Sequence, residues 1–390
     1  MVECSNYRKI IGKPQIMQNE KTIQSQVYPL SRGQSALWFH YKLAPTNVAY
    51  NLAAAVTVSD DTNLESLKRS LQNLADRHPM LRTLFTIENR EPVQRVQPSI
   101  DISFQYQDAS MWQPDQLDEF IKEEIYCPLN LEKGPAWRVT VFVDAVNSHD
   151  IEVKRGKKEH LILFVFHHIL TDLWSSAIIM SDVAAIYNEE TNGVPASLRT
   201  LRKTYQDYVK QEKEKLISNQ GEAAWNYWKN ILSGDISPLS LSSRLPRPVM
   251  LTGRGSAHFI HLDRRQTSKL RTLAEQQNVP LYVLLFTAYQ LLLYRYTGQS
   301  DILVCLPKAG RNLSTIHVVG YFVNQMVVRT TFSDEMTFLD LLNKVQHVIE
   351  ESSQYDWYPF AEIVQKLQPD RDLSHSPLIQ TVFSWQQPPP

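Results

Sequence analysis

Six successive apolar residues, Leu161-Ile162-Leu163-Phe164-Val165-Phe166, run directly into a pair of histidines, His167 and His168. A strand of that composition has no polar face and has to be covered on both sides. After the histidines, Ile178, Ile179, Val183 and Ile186 recur at helical spacing, so a buried strand gives way to a helix here. The run His167-His168-Ile169-Leu170-Thr171-Asp172 stands at that junction, where side chains are pushed into a cleft. Neighbours on an extended strand point to opposite faces, so if the extended geometry persists through both histidines they divide, one structural and one exposed.

The rest of the chain supplies further elements of both kinds. Thr62-Asn63-Leu64-Glu65 reads as a capping box ahead of Leu67, Leu71 and Leu74 and predicts an amphipathic helix over 63–77. Leu117, Phe120, Ile121 and Ile125 repeat that pattern, whereas 137–143 and 161–166 are rich in β-branched and aromatic residues and read as strands. The lysine-rich stretch 154–158 then falls in a solvated hairpin turn between them. Downstream, Leu270 and Leu273, a buried helix over 280–296, a strand over 302–306, a helix over 338–349 and a strand over 378–385 make a second series. The fold class is therefore α/β, of the α+β type. A chain of 390 residues exceeds what one core supports, so two lobes are expected. Segment 233–255, with Pro238, Pro246, Pro248, Gly253 and Gly255, is the expected crossing between them.

Charge and cysteine content narrow the function classes. Forty basic residues against 41 acidic ones give a net charge of −1, which leaves no global field for nucleic acid or an anionic membrane. Cys4, Cys127 and Cys305 form neither a disulfide framework nor a zinc set and fit a reducing cytoplasm. The N-terminus lacks an apolar core and is not a secretory signal, and 279–296 contains Pro280, Gln290 and Arg295 and falls short of a membrane span. No phosphate loop, dinucleotide fingerprint or metal-ligand cluster is visible, so neither a bound cofactor nor a metal is expected. Trp38, Trp225, Tyr227, Trp228, Trp357 and Trp385 are read as packing residues.

Acyl transfer from a thioester to an amine is one chemistry that paired histidines with an aspartate four residues on can serve. Such a reaction needs a group to take the proton from the attacking nitrogen, and imidazole does so near neutrality. There is no Gly-x-Ser-x-Gly elbow, and Ser175 has no evident base, so direct attack without an acyl-enzyme is expected.

At these residues the chain resembles the condensation domains of nonribosomal peptide synthetases, and seven segments carry the likeness in order. Tyr28-Pro29-Leu30-Ser31-Arg32-Gly33-Gln34-Ser35-Ala36-Leu37-Trp38 is similar to the opening motif, and Arg77-His78-Pro79-Met80-Leu81-Arg82-Thr83-Leu84-Phe85 to the second. Phe166-His167-His168-Ile169-Leu170-Thr171-Asp172-Leu173-Trp174-Ser175 resembles the His-His-x-x-x-Asp-Gly-Trp-Ser signature. Tyr205-Gln206-Asp207-Tyr208, Val319-Gly320-Tyr321-Phe322-Val323-Asn324, Tyr358-Pro359-Phe360 and Arg371-Asp372-Leu373-Ser374-His375-Ser376-Pro377-Leu378 follow.

The resemblance implies two chloramphenicol-acetyltransferase-like lobes in a V-shaped pseudo-dimer with a central tunnel: a lead-in over 1–27, an N-terminal lobe over 28–215 and a C-terminal lobe over 216–390, truncated at its end. It implies amide-bond formation between thioesters on a donor and an acceptor carrier protein, whose phosphopantetheine arms are the only cofactor involved. Adjacent synthetase modules, with a polyketide synthase as one upstream candidate, are the implied partners, and the isolated domain is expected to be monomeric. By carry-over His168 is the catalytic histidine, as base or as positioner of the amine. His167, Asp172 and Arg311 form its framework, with Asp172 paired to Arg311. Leu173, Trp174, Ser175 and Asn324 line the substrate vicinity. Leu173 replaces the signature glycine, and Lys308 stands where a small polar residue is usual. Leu173 suggests a donor unlike an ordinary peptidyl chain, such as a fatty or polyketide acyl group. The rival readings are an epimerisation domain, a freestanding acyltransferase of the same superfamily, and a non-catalytic docking platform.

Overall fold

The computed structural model describes residues 25–145, 159–241, 255–369 and 374–386. They fall into two units, one holding the residues up to Val209 together with Leu313–Tyr321, the other Lys210–Asn312 and the residues from Phe322 onward. The chain thus passes from one unit to the other after Val209, after Asn312 and after Tyr321. Of the sequence expectations, the lead-in before residue 25, the lysine-rich turn at 154–158, most of the turn-rich segment (242–254) and Arg371-Asp372-Leu373 lie outside the described residues.

In chain order the first unit contains β1 (Gln26–Pro29), α1 (Arg32–Leu43), β2 (Asn51–Ser59), α2 (Leu64–Arg77), β3 (Thr83–Glu88), β4 (Glu91–Val96), β5 (Phe104–Asp108), α3 (Pro114–Ile125), β6 (Trp137–Ala145), β7 (Glu159–His167), α4 (Leu173–Asn192) and the start of α5 (Tyr205–Leu216). The strands make a three-stranded sheet, β1-β4-β3, and a four-stranded sheet, β2-β7-β6-β5. The apolar run is β7, an inner strand antiparallel to both neighbours, with Phe166 opposite Leu52 on one side and Trp137 on the other. Leu161, Leu163 and Val165 pack with Leu117 and Ile121 of α3. The alternate residues Ile162, Phe164 and Phe166 are also buried, and the Phe166 ring stacks on Trp137 at 5.6 Å. Both faces of β7 are thus covered, as a wholly apolar strand requires.

Helix α2 confirms the predicted periodicity but corrects its cap. Asn63, not Thr62, is the N-cap, and its side chain accepts from the Ser66 amide at 2.9 Å. Asparagine caps at least as well as threonine, and placing it there brings Leu67, Leu71 and Leu74 into the core.

The second unit contains the rest of α5, α6 (Asn219–Ile231), α7 (Arg264–Gln276), α8 (Leu281–Thr297), β8 (Asp301–Lys308), β9 (Asn324–Thr331), α9 (Phe338–Ser353) and α10 (Phe360–Leu367). Strands β8 and β9 pair antiparallel, with Val304 opposite Val328, and bury Val304, Cys305, Val327 and Val328 against Phe286, Leu293, Val345 and Ile349. The strand expected over 378–385 is reduced to one parallel bridge between Cys305 and Val382. Its two hydrogen bonds run from the Cys305 amide to the Thr381 carbonyl and from the Phe383 amide to the Cys305 carbonyl. Leu378 departs from extended backbone altogether, at φ 61°. Among the described residues no helix is long and apolar enough to cross a membrane, and α8 ends at Gly298 in the left-handed region.

Candidate active site

The strand that carries the histidines stops at the first of them. The His167 amide donates to the Ala136 carbonyl at 3.0 Å, and the His168 amide to the Tyr50 carbonyl at 2.8 Å. The chain then turns: the amides of Leu170 and Thr171 fold back to the carbonyls of His167 and His168. Asp172 follows as N-cap of α4, accepting from the Ser175 amide at 2.7 Å. Face alternation therefore does not extend through His168. The turn, rather than the pleat, separates the histidines: His167 is 4% exposed and His168 is half-buried.

Their hydrogen bonds set opposite tautomers. The Nδ1 of His168 stands 2.6 Å from the Thr171 carbonyl, which can only accept, so Nδ1 carries a proton, and in the neutral ring the lone pair is on Nε2. The Nδ1 of His167 stands 3.1 Å from the Ile169 amide, which can only donate, so here Nδ1 holds the lone pair. Burial, reinforced by the neighbouring His168, pushes the His167 imidazole down to about 4. His167 is thus neutral at physiological pH and occupied in shaping the turn.

Other motif residues brace this junction. The Gln34 carboxamide donates to the Ile169 carbonyl at 3.2 Å, and Ser31 and Gln34 close a capping box at the start of α1. The Ser175 hydroxyl donates to the Gly320 carbonyl at 2.8 Å and accepts from the Gly320 amide at 3.0 Å. Held from both sides, it is fixed as a structural tie rather than presented as a nucleophile. The Trp174 indole N–H donates to the Ile316 carbonyl at 2.9 Å. The Tyr205 hydroxyl lies 2.7 Å from the Tyr321 carbonyl and 2.9 Å from Ser31 Oγ. Gly320 has to lack a side chain, because a Cβ there would fall on the Tyr205 ring. These bonds hold Leu313–Tyr321 within the first unit and bring the Tyr321 ring edge-to-face with His168, centroids 5.0 Å apart.

The second motif acts on the far part of α4. The Nε atom of Arg77 and the Nε2 of His78 both reach Asp182 Oδ2, at 2.9 and 3.0 Å. Burial alone would raise the Asp182 carboxyl, but the bonds from His78 and Arg77 outweigh it and hold it below the usual range.

Leu173 is the first residue of α4 and is 58% exposed. Its backbone is not in the left-handed region, so the leucine fits where the signature has glycine without strain. Two of the candidate site residues, Arg311 and Asn324, belong to the second unit. Arg311 lies over the Phe322 ring at 4.1 Å. The Asn324 amide nitrogen donates to the carbonyls of Asp356 and Tyr358, each at 2.7 Å, while its oxygen accepts from the Phe360 amide at 3.0 Å. Its carboxamide is therefore engaged in fixing the chain before α10. Lys308 stands 3.9 Å from Asp356. Among the described residues, no three His, Cys, Asp or Glu side chains gather as a metal site would require.

Sequence reasoning assigned no role to Thr171 or Tyr321, yet both touch His168. Thr171 lies within the signature, and Tyr321 follows Gly320 in the fifth motif, so motif membership was the available signal. The family model for the condensation domain matches residues 24–389. The chain belongs to the condensation-domain family. This condensation domain is 34% identical over 371 residues to one of the linear gramicidin synthase proteins of Brevibacillus parabrevis, covering 94% of this chain and 5% of that one. It therefore spans about a twentieth of the length of that relative. Among solved structures it matches a four-domain nonribosomal peptide synthetase, bound to AMP and glycine, with a TM-score of 0.80 at 22% identity, over 93% of this chain and 26% of the other. The X-domain from teicoplanin biosynthesis, solved in complex with OxyB, gives the same TM-score and identity over 95% and 79%. Likeness at that identity establishes the fold, and the family's general activity is peptide-bond formation.

Proposed function

We propose that this domain joins an acyl or peptidyl group, delivered as a thioester on a donor carrier protein, to the amine of an aminoacyl thioester on an acceptor carrier. The observation that carries this reading is the 2.6 Å contact between His168 Nδ1 and the Thr171 carbonyl. In the neutral imidazole it selects the tautomer with the lone pair on Nε2, the form a general base or an amine-positioning group requires. The acceptor nitrogen attacks the thioester carbon, Nε2 takes or orients the proton that nitrogen sheds, and collapse of the tetrahedral species expels the donor's thiolate, which receives a proton in turn. His168 is the catalytic residue in this reading, His167 and Asp172 shape its turn, and the phosphopantetheine arms come from the carriers. Neighbouring synthetase modules supply both partners. An exposed leucine at the start of α4 favours an apolar acyl donor over a peptidyl one.

The test loads defined acyl and aminoacyl groups on two carrier proteins and follows the condensed product by intact mass. His168→Ala is expected to slow product formation by about a hundredfold or more, the usual range for loss of a positioned base. Undiminished product in that variant contradicts the assignment. With a panel of donors, Leu173→Gly is expected to lower the preference for apolar acyl groups, and an unchanged preference refutes the role given to Leu173.

A further inference from the structure

The signature histidine touches an aromatic ring that packs where α1 presents a glycine. Tyr321 meets His168 edge-to-face, with ring planes at 89°. A Cβ built on Gly33 would lie 2.6 Å from Tyr321 Cε1, far inside van der Waals contact, and 3.1 Å from Cδ1. Gly33 is at the start of α1 and does not adopt a left-handed backbone, so conformation is not what demands a glycine there. Space for the ring is. The Tyr321 backbone has little freedom to withdraw, since its carbonyl accepts from Tyr205 and the preceding Gly320 is bonded through both backbone groups to Ser175.

We infer that Tyr321 is a positioning residue for His168, seated by Gly33, and that the two act as one unit. The Thr171 carbonyl fixes one edge of the imidazole, but a single hydrogen bond leaves the ring free to tilt about it. A perpendicular aromatic ring removes that tilt and sets the direction in which Nε2 points. Misplacement of a reacting group by about 1 Å lowers turnover by up to about a hundredfold, so the packing of this ring controls rate rather than carrier affinity. The inference rests on the proposed role of His168 and adds to it a residue that acts through that histidine.

The experiment is a double-mutant cycle in the two-carrier condensation assay, with thermal unfolding of each variant and His168→Ala run alongside. Tyr321→Leu is expected to lower kcat by about tenfold to a hundredfold while changing KM for either loaded carrier less than about threefold. Tyr321→Phe, which keeps the ring, is expected to restore most of that loss. Gly33→Ala is expected to reduce kcat in the parent protein but to add nothing in the Tyr321→Leu background, where its methyl group has room. Multiplicative losses across the cycle, or equal losses for Phe and Leu at 321, overturn the inference. If Tyr321→Leu turns over normally while His168→Ala is inactive, the inference alone fails. If His168→Ala is itself active, the reading of His168 fails with it.

Discussion

Burial pushes the His167 imidazole down to about 4, whereas an unfolded histidine titrates near 6.5, so this residue ties stability to pH. Between those values the unfolded chain binds a proton that the folded chain refuses, and stability falls as pH drops through that window. The contribution is intact above about pH 6.5 and is reduced by about 2 kcal/mol at pH 5, with the remainder lost on approaching 4. Urea unfolding of the parent and His167→Gln at pH 7 and pH 5 measures it: the stability advantage of the parent is expected to shrink by about that amount. A constant difference across the two pH values contradicts a neutral, buried His167. The same burial sets apart two adjacent and chemically identical side chains, since His168 is only half-buried.

The decisive element is the N-terminus of α4, because one turn of chain fixes both the end of β7 and the start of the helix. Asp172 caps that helix through the Ser175 amide, and the hydroxyl of Ser175 then ties the same turn to Gly320. Loss of an N-cap costs about 1 kcal/mol, and asparagine caps as well as aspartate does. Asp172→Ala is therefore expected to lose at least that much in denaturant unfolding. If capping were the whole role of the carboxylate, Asp172→Asn would be close to neutral, and any loss in that variant measures what its charge contributes. These contacts were only partly readable in the sequence. Strand β7 was legible because an unbroken apolar run admits few other readings, and α2 because its leucines keep helical spacing. The cap at Asn63 was misread by one residue, since both Thr62 and Asn63 are good caps and only backbone geometry separates them. The turn at 168–170 was missed for a related reason, as pleat alternation holds only while the chain stays extended.

For the whole molecule, sequence periodicity gave both helices and strands, and the resemblance gave the family. Contacts between distant segments were not legible. Nothing in the spacing of Gly33, His168, Tyr205 and Tyr321 announces that Gly33, His168 and Tyr205 all come against Tyr321, because that follows from how the sheet and helices return the chain to one place. The short parallel bridge at Val382 was likewise hidden, since strand propensity over 378–385 says nothing of the left-handed backbone at Leu378. At the centre stands the claim that the fold holds His168 with Nδ1 protonated and Nε2 free for the attacking amine, and His167 in the opposite form. Long-range proton–nitrogen correlation on 15N-histidine-labelled protein near pH 7.5 measures this directly, with His168→Gln and His167→Gln assigning the signals. An Nδ1–H tautomer is expected for His168 and an Nε2–H tautomer for His167. An Nε2–H tautomer at His168 would contradict the claim, because no lone pair would then face the substrate amine.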